Sequence, residues 1–123
     1  MTSNIDIMLY VTDVHEHSLF WQNLGLTEVG QMDLGESTQI TLATKDETYR
    51  LCLFDIEFIK KMSPEVAAMK PSLMFFTDDF DGFIENAVKS DVQMMPERAQ
   101  FGARTRAFSD PDGNFFAISD KRN

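Results

Sequence analysis

The side chains that could carry chemistry in this sequence are few and lie far apart. Cys52 is the single cysteine, Asp6 sits inside an apolar run, His15 and His17 stand two apart, and Arg104 and Arg106 alternate towards Phe108. A thiol nucleophile needs a base beside it, and neither histidine falls near Cys52 once the chain is aligned on its internal repeat, so Cys52 reads as a small, inert lining residue. His15 and His17, two apart on an expected helix, point in different directions and cannot share an ion; both read as solvent-side residues. Arg104 and Arg106 share one strand face and could clamp an anionic group, although exposed pairing with neighbouring acids explains them as well. Asp6 remains as a candidate general base without a visible acid partner. No phosphate loop, Ser-His-Asp arrangement or dinucleotide fingerprint is present.

These residues must be positioned by short elements. Ile5 to Val11 alternate as a strand. Thr12-Asp13 offers capping side chains for a helix from Val14 to Leu24, stopped at Gly25, with Phe20, Trp21 and Leu24 as its expected buried stripe. Strands follow at Thr27 to Met32, Ser37 to Ala43 and Tyr49 to Asp55, separated by Asp33-Leu34-Gly35 and Lys45-Asp46-Glu47. Residues 56–70 read as one or two short helices, with Ser63 capping and Pro64 at a first helical position. Then Ser72 to Thr77 is a strand, Phe80 to Lys89 a helix after Asp78-Asp79, Val92 to Met95 a short strand and Pro96 to Gly102 a loop. Strands Ala103 to Phe108 and Phe115 to Ser119 close the chain as a hairpin. Its turn, Asp110-Pro111-Asp112-Gly113-Asn114, lacks the bidentate Glu and alternating oxygens of a calcium loop.

The second half repeats the first. Ser72 falls on Asp6, a shift of 72 − 6 = 66, with Met74 on Met8 and Asp78-Asp79 on Thr12-Asp13. Ala117 falls on Cys52, a shift of 117 − 52 = 65, with Asp120 on Asp55. Two β-α-β-β-β modules are therefore expected, about 1–56 and 71–123 around a connector at about 57–70, in a single α+β domain. Alternation divides the strands into two faces. Ile7, Leu9, Val11, Leu51, Leu53, Leu73, Phe75, Phe116 and Ile118 suit a face packed under helices. The opposite face carries Asp6, Met8, Tyr10, Arg50, Cys52 and Phe54 in module one, and Ser72, Met74, Phe76, Phe115, Ala117 and Ser119 in module two. Met and aromatic side chains mixed with a few polar groups have the composition of a small-molecule pocket. An ordinary core or a dimer interface would have it too.

Composition narrows the partners. Hydrophobic residues are 43% and charged residues 25% of the 123, ordinary for a folded soluble domain. A formal charge of −9 argues against nucleic acid or an anionic membrane as partner. It serves solubility, with attraction of a cationic ligand as the alternative. One cysteine precludes an internal disulfide, the N-terminus lacks the pattern of a signal peptide, and no apolar run approaches the ~18 residues of a membrane span. A cytoplasmic location is expected.

Two blocks, Asp13-Val14 through Ser18-Leu19-Phe20-Trp21 to Leu24-Gly25-Leu26, and Phe108 through Asn114, resemble the vicinal oxygen chelate superfamily of glyoxalases, bleomycin-resistance proteins and extradiol dioxygenases. With the repeat between them, the resemblance covers nearly the whole chain. It implies two βαβββ modules forming a curved, cup-like mixed sheet with helices outside and the ligand inside, commonly as a homodimer. In metal-using members, His, Glu or Gln side chains at four symmetric strand positions hold a divalent ion; carried over, these positions are Asp6, Cys52, Ser72 and Ala117. That set suits no common divalent ion, so neither a metal nor another cofactor is expected.

The resulting expectation is a metal-independent protein, similar to the bleomycin-resistance branch, that sequesters a toxic or antibiotic-like aromatic compound. Its lining residues would be Asp6, Met8, Tyr10, Arg50, Cys52, Phe54, Ser72, Met74, Phe76, Arg106, Phe115 and Ala117. The alternatives are a lyase, isomerase, transferase or dioxygenase of the same superfamily, with Asp6 as base, and a structural or regulatory dimer without ligand.

Overall fold

A computed structural model describes residues 5–45, 47, 49–100 and 102–121. The start at Met1–Asn4 and Asp46 of the expected Lys45-Asp46-Glu47 turn lie outside the described residues. The chain divides into two compact units, one ending at Pro71 and the other beginning at Ser72.

In the first unit, β1 (Ile5–Val11), α1 (Val14–Asn23), β2 (Thr27–Asp33), β3 (Thr38–Ala43) and β4 (Tyr49–Asp55) follow the expected order. The sheet runs β1-β4-β3-β2, with β1 parallel to β4 and the other pairs antiparallel. Leu9, Val11, Ile40, Leu42, Leu51 and Leu53 are buried on the face that carries α1. Asp13 caps that helix by accepting from the Glu16 amide at 3.0 Å. At its other end the Leu26 amide donates to the Trp21 carbonyl and the Gly25 amide to that of Gln22, the six-to-one and five-to-two closure of a Schellman motif. That closure needs a left-handed residue, and Gly25 supplies φ of 106°.

The buried stripe of α1 differs from the expected one. It comprises Val14, His17, Ser18 and Trp21, the i, i+3, i+4, i+7 spacing of one helix face, with Leu24 buried just beyond. His17 is thus a core residue and not a solvent-side one; its Nδ1–H donates to the Asp13 carbonyl one turn back, at 2.9 Å. Ser18 tolerates burial because Gln22 donates to its hydroxyl, which in turn donates to Glu28. Phe20 is only half-buried, its ring edge-on to Trp21.

Directly after β4, Asp55 caps α2 (Ile56–Met62) by accepting from the Glu57 and Phe58 amides. The second helix expected from Ser63-Pro64 does not form. Bonds from Val66 to Ser63, Ala67 to Pro64 and Met69 to Val66 make successive turns instead, and Pro71 bars Lys70 from helical geometry. Among the described residues, no helix is long and apolar enough to cross a membrane.

The second unit repeats the design with β5 (Met74–Phe76), α3 (Phe80–Lys89), β6 (Arg98–Gln100), β7 (Ala103–Ser109) and β8 (Phe115–Ser119). Its order, β5-β8-β7-β6 with β5 parallel to β8, matches the first unit strand for strand. Met8 pairs with Cys52 in one sheet and Met74 with Ala117 in the other, the register that the repeat alignment demands. The α+β fold thus consists of two four-stranded mixed sheets. Phe75, Phe108 and Phe116 pack with Phe83 of α3 at centroid distances of 5.7 to 6.4 Å, filling the helix-bearing face.

The edge strand of this unit is placed differently from the sequence reading. Val92 to Met95 makes only an isolated bridge, Met94 to Phe108, while the paired strand falls at Arg98–Gln100, where a loop was expected. Pro96 separates the two pieces, since it has no amide to give the ladder. Met94 stands opposite Phe108 but Arg98 opposite Thr105, so four steps on the edge match three on β7. The edge of the first unit slips likewise between Glu28 and Gly30. At the hairpin, buried Asp110 accepts from the Asp112 and Asn114 amides and from Asn114 Nδ2, so its carboxylate organises the turn; Gly113 takes φ of 81°.

Candidate functional site

In each unit the sheet face turned away from its helix holds the candidate residues. On the first sheet, register sets Asp6 beside Arg50, Met8 beside Cys52 and Tyr10 beside Phe54, three rungs of one ladder. The Tyr10 and Phe54 rings meet edge to face at 6.3 Å. Met8 is 43% exposed, although it lies mid-strand.

A chain of hydrogen bonds crosses this face. Gln39 Nε2 donates to Thr41 Oγ1 at 2.8 Å, and the Thr41 hydroxyl donates to Cys52 Sγ at 3.8 Å. Arg50 then grips Asp6 side-on, Nε to Oδ1 at 2.8 Å and Nη2 to Oδ2 at 2.7 Å. The Arg50 hydrogen bond holds the Asp6 carboxyl below its ordinary range, outweighing some desolvation, and the Cys52 thiol adds a lesser hydrogen bond. Burial pushes the Cys52 thiol up, with the Asp6 charge acting in the same direction. A thiol so placed is protonated near neutrality and a poor nucleophile.

On the second sheet, Met74 pairs with Ala117 and Phe76 with Ser119. Met74, Phe76 and Phe115 are 45%, 46% and 52% exposed. Ser72 precedes β5 and is exposed. Arg106 stands apart from the residues it was grouped with: register places it opposite Ile118 and between Arg104 and Phe108, on the helix-bearing face, where its Nε donates to the Met95 carbonyl. Arg104 is held by Glu97 and Asp81 and lies 4.5 Å above the Phe80 ring. Two arginines two apart on a strand face away from Met74 and Ala117 because β side chains alternate. Neither is available to the open face.

The four positions carried over for a metal do not fit one. Ala117 has no donor atom, Asp6 spends both oxygens on Arg50, and the Cys52 thiol is stabilised in its protonated form. Among the described residues no group of three or more His, Cys, Asp and Glu could hold an ion.

Sequence reasoning missed Gln39 and Thr41, which join the open face through β3. The signal was available: β3 reads Thr-Gln-Ile-Thr-Leu-Ala, and with Ile40 and Leu42 inward, alternation turns Gln39, Thr41 and Ala43 to the other side.

Paired βαβββ modules, each with its helix on one sheet face and a Met- and aromatic-bearing surface on the other, define a glyoxalase-type fold. The sequence profile described as Glyoxalase/Bleomycin resistance protein/Dioxygenase superfamily matches residues 5–118, and the chain belongs to that superfamily. Among solved structures it is similar to TnmS3, an antibiotic binding protein from Streptomyces sp. CB03234, with 20% identity, 99% of this chain and 98% of that one covered, and a TM-score of 0.78. It is similar also to lactoylglutathione lyase from Agrobacterium tumefaciens, with 17% identity, coverage of 98% and 94%, and a TM-score of 0.75. The genomically encoded fosfomycin resistance protein FosX from Listeria monocytogenes matches at 17% identity, 99% and 93% coverage and a TM-score of 0.68. Likeness at these identities is likeness of fold. No curated protein matches the chain in sequence.

Proposed function

We propose that the chain is a metal-independent small-molecule-binding protein that sequesters an aromatic, antibiotic-like compound. The observation that carries this reading is the exposure of large apolar side chains at strand positions: Met8 on one sheet, Met74, Phe76 and Phe115 on the other. Apolar area left in water at such positions marks a surface awaiting a ligand or partner. Met adapts its shape and the rings offer flat faces, a combination suited to a planar molecule. TnmS3, of the same fold, is by its description an antibiotic binding protein.

An enzyme is the second reading, because the fold also serves a lyase. Asp6, its candidate general base, is the only carboxylate on the first sheet's open face among the described residues, and Arg50 makes it a weaker base than an ordinary one. The same apolar surfaces suit a twofold partner, so we propose a homodimer as well, checked by sedimentation. Isothermal titration of the purified protein with a panel of planar aromatic natural products tests the main reading. Saturable stoichiometric binding of one compound is expected; no saturable binding across the panel would remove its support.

A further inference from the structure

Resting on that binding reading, we infer that the ligand presents a hydrogen-bond-acceptor oxygen, a carbonyl or carboxylate on an aromatic body, to the free end of Arg50, and that Asp6 positions Arg50 and does not itself receive a cationic ligand.

The inference starts from the guanidinium fork. Arginine is a planar set of N–H donors and accepts nothing. Asp6 takes the Nε and Nη2 side of Arg50 through two short bonds, and Nη1 has no hydrogen-bond partner among the described residues. A side-on bidentate pair fixes the plane of the group, so the remaining N–H bonds point in a set direction. Arg50 keeps 43% of its side chain exposed, and a solvent-facing donor is open to exchange water for an acceptor.

The surroundings say what accompanies that acceptor. Met8 on the neighbouring strand is the diagonal neighbour of Arg50, Cys52 follows on its own strand, and the Tyr10–Phe54 ring pair comes one rung further. Diagonal neighbours in a sheet lie roughly 7–8 Å apart, within reach of one bicyclic ring. A flat body over Met8, with the Tyr10–Phe54 rings beyond it, would lie within reach of the Arg50 guanidinium for an oxygen substituent.

Charge decides against the opposite polarity. The whole chain is acidic at −9, which suggests a cationic ligand on long-range grounds. Long-range attraction is screened within about 8 Å at physiological salt, and what remains is local. Locally, both Asp6 oxygens are already taken by a cation of the protein's own. An ammonium ligand would have to share a carboxylate whose charge Arg50 already offsets, whereas an acceptor oxygen displaces water alone. Glu47 also attracts Arg50, more weakly than Asp6 does, and leaves its Nη1 end without a hydrogen bond.

The test uses three probes with one aromatic body: naphthoate, naphthylmethylammonium and ethylnaphthalene, titrated calorimetrically into the full chain at physiological salt. Naphthoate is expected to bind about ten-fold more tightly than either other probe, the size of one charge-assisted hydrogen bond. Arg50→Gln should reduce naphthoate to the affinity of ethylnaphthalene and leave ethylnaphthalene unchanged. Asp6→Asn frees Arg50 from its counter-charge and should strengthen naphthoate binding several-fold. If Arg50→Gln does not fold by circular dichroism, Arg50→Lys and Asp6→Asn carry the test, the lysine being expected to lose most of the preference because it lacks the fork. Tightest binding of the ammonium probe, an unaffected naphthoate in the arginine variant, or weaker naphthoate in Asp6→Asn would overturn the inference and leave the binding reading standing. Absence of saturable binding by all three probes would overturn the inference, and only with silence across the natural-product panel would it overturn the binding reading too.

Discussion

The two sheets have one strand order and one register, yet they are filled by different chemistry. The first is backed by aliphatic side chains around Trp21, the second by a cluster of phenylalanines. On the open face, the first carries the Asp6–Arg50 pair where the repeat alignment gives the second Ser72 and Phe115. Topology therefore asks only that one face be apolar and one be tolerant. The tolerant face differs between the two copies, and among the described residues the side-on Asp6–Arg50 pair lies on the first sheet.

Truncating the two cores should produce the largest effects. Phe108→Ala, at a site wholly buried among rings, is expected to cost about 3–5 kcal/mol, and Leu53→Ala in the first sheet about 2–5 kcal/mol, both read by urea unfolding. If either change were nearly neutral, the packing described for that sheet would be wrong.

The helix ends give a finer comparison. α3 closes as α1 does, with the Val92 amide donating to Ala87 and the Asp91 amide to Val88, but the left-handed position is Asp91 at φ 57° where the first unit has Gly25. Gly25→Ala should destabilise by about 1 kcal/mol, and Asp91→Gly should stabilise by roughly 0.5 kcal/mol, because the left-handed region is easiest for glycine. Thermal unfolding of both variants measures the difference, and equal shifts of one sign would break the parallel.

Smallest is the part of the acid response that passes through one arginine in each unit. Hydrogen bonds from Arg50 hold Asp6 down, and hydrogen bonds from Arg104 do the same for Glu97. A carboxyl lowered on folding contributes stability above its unfolded pKa, about 4, and loses it as pH falls through the lower folded value. Asp6→Asn and Glu97→Gln should each flatten the fall in stability below about pH 4, slightly, since both pairs are exposed. A steeper fall in either variant would contradict the assignment.

Much of this was legible beforehand, for identifiable reasons. Asp13 and Asp79 before apolar periods, Gly25 after one, and the Asp110–Asn114 turn are local signals whose geometry does not depend on distant contacts. The faces of β1, β4 and β8 followed from alternation. His17 was misplaced because a His and a Ser occupy two of the four buried positions of α1 and mask its period; stepping back four and three residues from Trp21 finds both. β6 was missed because Arg-Ala-Gln has no strand-like composition, and its pairing comes from β7. The Arg50–Asp6 grip joins residues 44 apart, and no local pattern announces it.

The slipped edges have a consequence for life at high concentration. A regular, unpaired edge strand is a template on which another chain can add a strand. Here one edge strand of each sheet loses register midway, β2 at Glu28/Gly30 and the β6 side around Pro96, where a proline also withholds its donor. An incoming strand could match either half of such an edge but not both. Net negative charge opposes indiscriminate clustering of copies, and a copy that does meet the β2 or β6 edge finds no continuous seam along which to zip.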